Sequence, residues 1–75
     1  MAIFILENVG PIETGALPSG DIQVWHPLNG KLRTIVEGAC QGRGYWNSEY
    51  NNWIVFARFI DTVFSEIAAQ TKRIA

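Results

Sequence analysis

The residues best suited to bind a ligand lie in the second half of the chain, where aromatic and basic side chains are interleaved. Trp46 and Trp53 flank a polar segment that contains Tyr50, and Arg43 and Arg58 lie just outside it. Aromatic rings stack on nucleobases and anchor protein interfaces, and arginine contacts phosphate or carboxylate groups. These five residues are therefore the candidate binding group.

Catalytic and metal chemistry have much weaker support in the residue types. Cys40 is the single cysteine and His26 the single histidine. A thiol–imidazole pair needs a third group to orient it, and no motif supplies one, so Cys40 as a nucleophile is a remote alternative. One Cys and one His are too few for a structural zinc site within the chain. We expect a protein that is not an enzyme and that uses no cofactor or metal.

Composition predicts one small domain, residues 1–75, with an unusually apolar surface. Hydrophobic residues make up 48% of the chain and charged residues only 17%. The charged share is below the roughly 25% of an ordinary globular domain. A small domain can bury such a surface by forming a homo-oligomer or by docking on a partner, so we expect a dimer or larger species at high concentration.

Charge and cysteine content narrow the class of protein further. The formal net charge is −1, which argues against a protein that coats DNA generally, because such proteins neutralise many phosphates with Lys and Arg. A single cysteine fits a reducing compartment. The first residues lack the basic region of a signal peptide, and no apolar run approaches the roughly 20 residues of a membrane span. We expect a cytoplasmic protein without membrane contact.

The first half of the chain predicts two strands and a helix. Residues 3–6 form a short apolar run, and residues 21–26 alternate between apolar and polar positions until Pro27. Between them, residues 10–20 are rich in Gly, Pro and Ser, which favours a long loop across which the two strands pair. Asn29 then suits a helix N-cap. After this cap the apolar residues recur at helical spacing: Leu32, Ile35, Val36 and Ala39.

The second half predicts a hairpin followed by a second helix. Residues 44–46 and 53–56 are aromatic-rich strands separated by polar residues 47–52. With this loop Trp46 lies opposite Trp53, so both share one face with Val55. The other face then holds three apolar side chains: Tyr45, Ile54 and Phe56. One face must cover the helices, and the second is covered by the chain's own loop or left for a partner.

Apolar residues at helical spacing predict the second helix and the helix side of the core. The expected core residues are Leu32, Ile35, Val36, Phe59, Ile60, Val63, Phe64 and Ile67. Arg58 opens this helix and can pair with Asp61, and Lys72 and Arg73 suit its last turn. The element order is β-β-α-β-β-α. It predicts a small α+β domain with a four-stranded, mainly antiparallel sheet and both helices packed on one face.

The hairpin reads Trp46-Asn47, five residues, then Trp53-Ile54-Val55. This pattern resembles the signature of the HARP domain: an aromatic residue, an Asp-like polar residue, a variable turn, then Trp and a short apolar strand. With its flanking helices the resemblance covers roughly residues 21–70. HARP domains occur in annealing-helicase-type DNA remodellers, and a similar pattern appears in small prokaryotic and phage domains. The resemblance implies binding of forked or single-stranded DNA.

Two functions follow as expectations. The first is a small non-enzymatic module that contacts single-stranded or junction nucleic acid through the five candidate residues: Arg43, Trp46, Tyr50, Trp53 and Arg58. The alternative is a phage or bacterial protein-interaction protein that acts through an apolar patch, as a homodimer or as an inhibitor of a host complex. Salt separates the two, because phosphate contacts weaken steeply as salt rises and apolar contacts do not.

Overall fold

All strands of the protein belong to one antiparallel sheet. The computed structural model describes residues 2–75. In chain order the elements are β1 (Ile3–Leu6), β2 (Gly10–Ala16), β3 (Ile22–Trp25), α1 (Gly30–Cys40), β4 (Gly44–Asn47), β5 (Asn52–Val55), a 3-10 turn (Ala57–Phe59), α2 (Ile60–Ala68) and β6 (Lys72–Arg73). The strand order across the sheet is β4-β5-β3-β2-β1-β6. The α+β class and the antiparallel sheet are confirmed, with two more strands than the four expected.

The hydrophobic core lies between the sheet and the two helices. Side chains from both helices and from β1, β2, β3 and β5 form a single buried cluster, so both helices pack on the same face, as predicted. The eight residues expected on the helix side all belong there. Five of them are buried and three are partly buried against the cluster: Leu32, Ile35, Val36, Val63 and Ile67, then Phe59, Ile60 and Phe64.

The segment expected to be a long loop, residues 10–20, contains strand β2. It lies between β1 and β3 and pairs with both, so the two predicted strands do not pair with each other. Ile12 and Thr14 of β2 point into the core, and the Thr14 hydroxyl hydrogen-bonds to the backbone of Ala2. Of the predicted loop only residues 17–20 lie outside a strand, and together with Asp21 they form the turn from β2 to β3.

Pro11 misled the sequence prediction, because proline inside a sheet removes a hydrogen-bond donor. Pro11 lies opposite Ile5. The Thr14 N–H donates to the Ala2 carbonyl at 3.0 Å, and hydrogen-bonded pairs alternate along an antiparallel ladder. Pro11 therefore occupies a position whose missing N–H points away from β1. The missing N–H faces the side of β3, which pairs with β2 only from Glu13 onward. The sheet therefore loses no hydrogen bond at Pro11.

Lys72 and Arg73 form a strand and do not extend the second helix. They are β6, a two-residue strand at the outer edge of the sheet, antiparallel to β1. Arg73 lies opposite Phe4, and its guanidinium is 5.4 Å from the centre of the Phe64 ring. The prediction that these cations interact with the helix dipole was therefore wrong, and a cation–π contact takes its place.

Local signals fix where the helices begin. The Asn29 side chain accepts hydrogen bonds from the N–H groups of Lys31 and Leu32 at 2.9 and 3.1 Å, so it is the N-cap that the sequence predicted. The second helix begins later than expected, because the Ala57–Phe59 segment is a 3-10 turn and α2 starts at Ile60. Arg58 lies in that turn and not in the α-helix.

The hairpin formed by β4 and β5 has the predicted register. Trp46 pairs with Trp53, and Tyr45 pairs with Ile54. Val55 is buried in the core, so the face that carries Trp46 and Trp53 is the face that the helices cover. Within residues 2–75 no helix packs on the opposite face of the sheet, which we call the open face.

Candidate functional site

Trp46 and Trp53 form an aromatic pair on the helix side of the sheet, beside Arg33 and Glu37 of α1. Their ring centres are 6.1 Å apart in an edge-to-face arrangement. Trp46 is 47% exposed. The pair belongs to an indole notch, a cavity of about 350 Å³ lined by His26, Leu28, Arg33, Glu37, Trp46 and Trp53. In this notch the Arg33 charge is paired with Glu37 at 2.7 Å.

Tyr50 does not join the two tryptophans. It lies in the turn between β4 and β5, is 68% exposed, and borders grooves that Gln23 and Asn52 also line. Gln23 pairs with Ile54, whose neighbours Trp53 and Val55 point to the helix side, so these grooves are on the open face. The three aromatic residues of the candidate group are thus divided between the two faces of the sheet.

Arg43 is engaged within the protein. One of its terminal nitrogens donates to the Ala39 carbonyl at 2.9 Å and to the Glu66 carboxylate. These contacts tie the end of α1 to α2. The carboxylate neutralises the guanidinium locally, so in this conformation Arg43 offers little charge to a phosphate.

Arg58 stacks on aromatic rings. Its guanidinium carbon lies 4.8 Å from the centre of the Phe59 ring and 5.6 Å from that of Phe56. The expected pair with Asp61 is not among the ion pairs of residues 2–75, which are Arg33–Glu37 and Arg43–Glu66. The cation–π contact replaces it, so Arg58 shares neither the indole notch nor the Tyr50 grooves.

Of the aromatic residues exposed on the open face, the sequence placed only Tyr50 in the candidate binding group. Around the centre of this face stand three exposed aromatic side chains, Trp25, Tyr45 and Tyr50. Trp25 and Tyr50 line a cavity of about 350 Å³ together with Gln23, Asn52 and Glu13. The alternating pattern Gln23-Val24-Trp25 could have predicted that Trp25 lies on this face. Val24 is buried, and its two neighbours in the strand must point to the opposite face.

A polar pair lies at the centre of the open face. The Asn52 side-chain N–H donates to the Gln23 side-chain oxygen at 2.8 Å. Asn52 is only 5% exposed, and its own side-chain oxygen has no hydrogen-bond partner. Buried amides normally satisfy both ends, so Asn52 retains an unused acceptor beneath the aromatic residues. Sequence reasoning did not identify this residue, since an Asn next to a turn is unremarkable.

The residues considered for enzymatic chemistry are not arranged for it. Cys40 is fully buried in the core, and burial raises the pKa of its thiol to about 12, with a small opposing effect from Arg43. The thiol is therefore protonated at neutral pH and a poor nucleophile. The His26 ring lies 2.8 Å from the Pro27 carbonyl. Within residues 2–75 no group of three or more His, Cys, Asp or Glu side chains is placed to hold a metal ion.

In the described part of the chain, neither helix has the length and apolar character needed to cross a bilayer. No protein-family model, curated protein or solved structure matches the chain closely enough to establish a relationship.

Proposed function

We propose that this protein is a non-enzymatic binding domain that contacts another polypeptide through the open face of its sheet. The observation that carries the proposal is the group of exposed aromatic residues, Trp25, Tyr45 and Tyr50, around the Gln23–Asn52 pair. Protein interfaces are enriched in such amphipathic rings surrounding a few polar groups. An aromatic surface without a helix over it is better suited to a partner than to water.

The charges favour a polypeptide over a nucleic acid as the partner. Arg33 and Arg43 each contact a carboxylate of the protein, and Glu13 borders the cavity of the open face. The formal net charge of the chain is −1. Affinity for nucleic acid depends mostly on cations that neutralise phosphates, and within residues 2–75 no Lys or Arg lines the two cavities of the open face.

The unused acceptor on Asn52 indicates what the partner supplies. The Asn52 oxygen is itself buried, so a partner N–H or O–H donor reaches it only if the side chain turns toward the cavity. Glu13 adds a carboxylate acceptor at the margin. We therefore expect ligands of the open face to be peptides with donor-rich side chains flanked by apolar residues.

The proposal is tested by selecting displayed random peptides on the immobilised domain and measuring the affinity of the selected peptides in solution. Tyr50→Ala should weaken binding by roughly 1–2 kcal/mol, the usual effect of truncating an interface aromatic. Leu28→Ala is the matched control, because Leu28 is fully exposed and lies by the indole notch. Leu28 is fully exposed and Tyr50 is 68% exposed, so both substitutions remove little buried area and both variants should stay close to wild-type stability.

Two results would contradict the proposal. One is a selection that enriches no peptide. The other is a set of peptides whose affinity falls with Leu28→Ala but not with Tyr50→Ala. Backbone chemical-shift changes on peptide addition give a second readout, and they should cluster at Gln23, Trp25, Tyr45 and Asn52.

The indole notch supports a second candidate function, binding of single-stranded or forked nucleic acid. Trp46 and Trp53 carry the HARP-like resemblance, and the exposed half of Trp46 can stack on a base. Titration with single-stranded DNA at low salt tests this function. We expect Trp46→Ala to cost about 1–3 kcal/mol of binding free energy, and the affinity to fall as salt rises. Absence of binding at low salt would leave the open face as the functional surface.

A further inference from the structure

The two edges of the sheet differ in their protection against pairing with another strand. The β6 edge is short, and both of its residues, Lys72 and Arg73, are charged. Charged side chains, prolines and very short strands are the usual devices that keep an edge from pairing. The β4 edge has four residues, Gly44 to Asn47, and carries none of these devices. Its Tyr45 and Trp46 side chains are about half exposed.

The hydrogen-bond ladder between β4 and β5 determines which backbone N–H and C=O groups of β4 point outward from the sheet. The Phe56 N–H donates to the Arg43 carbonyl at 3.0 Å, so Arg43 and Phe56 oppose each other at a hydrogen-bonded position. Along an antiparallel ladder such positions alternate, which places Tyr45 and Asn47 in the ladder with β5. Gly44 and Trp46 therefore point their N–H and C=O groups outward. Neither residue takes part in the turn, cap or side-chain hydrogen bonds of residues 2–75.

We infer that β4 is a dimerisation edge at which a second copy of this chain pairs antiparallel, with Tyr45 opposite Tyr45 on the two-fold axis. In this register Gly44 of each copy faces Trp46 of the other, and the two pairs exchange four backbone hydrogen bonds. Each donor meets an acceptor, so the edge is complementary to itself.

Side chains agree with the same register. On the helix side, the large Trp46 ring lies across from Gly44, which has no side chain to obstruct it. Aromatic cover of an edge glycine is a recognised stabilising arrangement in sheets. On the open face the two Tyr45 rings meet at a non-hydrogen-bonded position, where cross-strand side chains are closest. No residue of β4 is charged, so the pairing brings no like charges together.

The resulting dimer has one continuous sheet with both pairs of helices on one side. The open faces of the two copies merge, which places Tyr45, Ile54 and Phe56 of each copy in one apolar strip. In each copy the Tyr45 ring centre is already 6.1 Å from that of Phe56. The inference does not depend on the ligand of the open face.

Sedimentation equilibrium of the full chain and of two matched variants tests the inference. Wild-type protein should show a reversible dimer with Kd below about 1 mM, as expected for a small edge interface. Tyr45→Lys replaces the ring pair with like charges and should raise Kd at least about tenfold. Ile74→Lys makes the same change at an exposed position beside β6, and it should leave Kd unchanged. Circular dichroism confirms that both variants are folded.

Amide hydrogen exchange distinguishes edge pairing from association of the open faces. As protein concentration rises, the Gly44 and Trp46 amides should gain protection, while those of Tyr45 and Asn47 are already protected by β5. Oxidation of the Tyr45→Cys variant should cross-link two copies, and Ile74→Cys should not. A protein that stays monomeric, or a dimer that is insensitive to Tyr45→Lys and shows no alternating protection, would overturn the inference.

Discussion

Gly44 is a position where the fold leaves no room for a side chain, and this makes a sharp test of the hairpin. A Cβ atom at Gly44 would overlap the carbonyl oxygen of Ile54, and would lie 2.8 Å from the Ile54 carbonyl carbon and 2.9 Å from the Val55 Cα. All three are backbone atoms of β5, so no rotamer change can relieve the contacts. Gly44→Ala must therefore push β4 away from β5.

The cost of this displacement follows from the hydrogen bonds it breaks. The nearest are the bond from Phe56 to Arg43 and the two that the Tyr45–Ile54 pair exchanges. At about 1 kcal/mol each, their loss costs about 3 kcal/mol. A chain of this length has a total stability of roughly 4–11 kcal/mol, at about 0.05–0.15 kcal/mol per residue. The melting temperature should therefore fall by roughly 12–24 °C.

Gly38→Ala is the matched control, because it adds the same methyl group where there is space. Gly38 is exposed on α1, and apart from its chain neighbours and the backbone of its own helix no atom lies within 4 Å of the position its Cβ would take. Replacing a helix-interior glycine by alanine should stabilise the protein by about 0.8–1.0 kcal/mol. Urea unfolding followed by tryptophan fluorescence measures both variants. A loss below about 1 kcal/mol for Gly44→Ala, or any loss for Gly38→Ala, would refute the reasoning.

Three further predictions concern the core and the polar pair. Phe4→Ala should cost about 3–5 kcal/mol, and Phe64→Ala less, because Phe4 is fully buried and Phe64 only partly; equal losses in urea unfolding would contradict this. The thiol of Cys40 should react with an aromatic disulfide reagent only when the protein opens. The free energy of unfolding should also decline as the pH rises from about 9 toward about 12, because in that range the thiol loses its proton in the unfolded chain but keeps it in the folded protein. A Cys40→Ala variant that showed the same high-pH decline would exclude the thiol as its cause. Gln23→Ala should lower the free energy of unfolding by about 1–3 kcal/mol, because it leaves the Asn52 amide without its one hydrogen-bond partner. In a double-mutant cycle with Asn52→Leu, the double variant should lose less stability than the sum of the two single variants.

The sequence predicted the elements whose periodicity is local and missed those that depend on distant partners. The spacing in α1, the Asn29 cap and the Trp46–Trp53 register follow from nearby residues, and all three are confirmed. Strand β2 was missed because Gly10 and Pro11 are typical of loops. Their place in the sheet depends on where β3 ends, and that contact is not visible in a local pattern.

The candidate site illustrates the same limit. The sequence identified the aromatic residues near the hairpin, but which face each one occupies depended on the whole sheet. Tyr50 and Trp46 are four residues apart and lie on opposite faces, because the turn reverses between them. The pairing of Arg43 with Glu66 joins two helices that are separate in sequence, so a charge count could not show that this cation is engaged.

The two-residue strand β6 has a consequence for the solubility of the protein. It covers the outer side of β1, whose sequence Ile3–Leu6 is a continuous apolar run with two β-branched residues and one aromatic residue. A short run of this kind with an uncovered backbone is a template for fibril-like stacking. β6 is also the last strand of the sheet to be synthesised, so β1 stays uncovered until the rest of the sheet has emerged. Fraying at Lys72 and Arg73 would therefore uncover the backbone of β1, and we expect it to raise the aggregation rate of the protein.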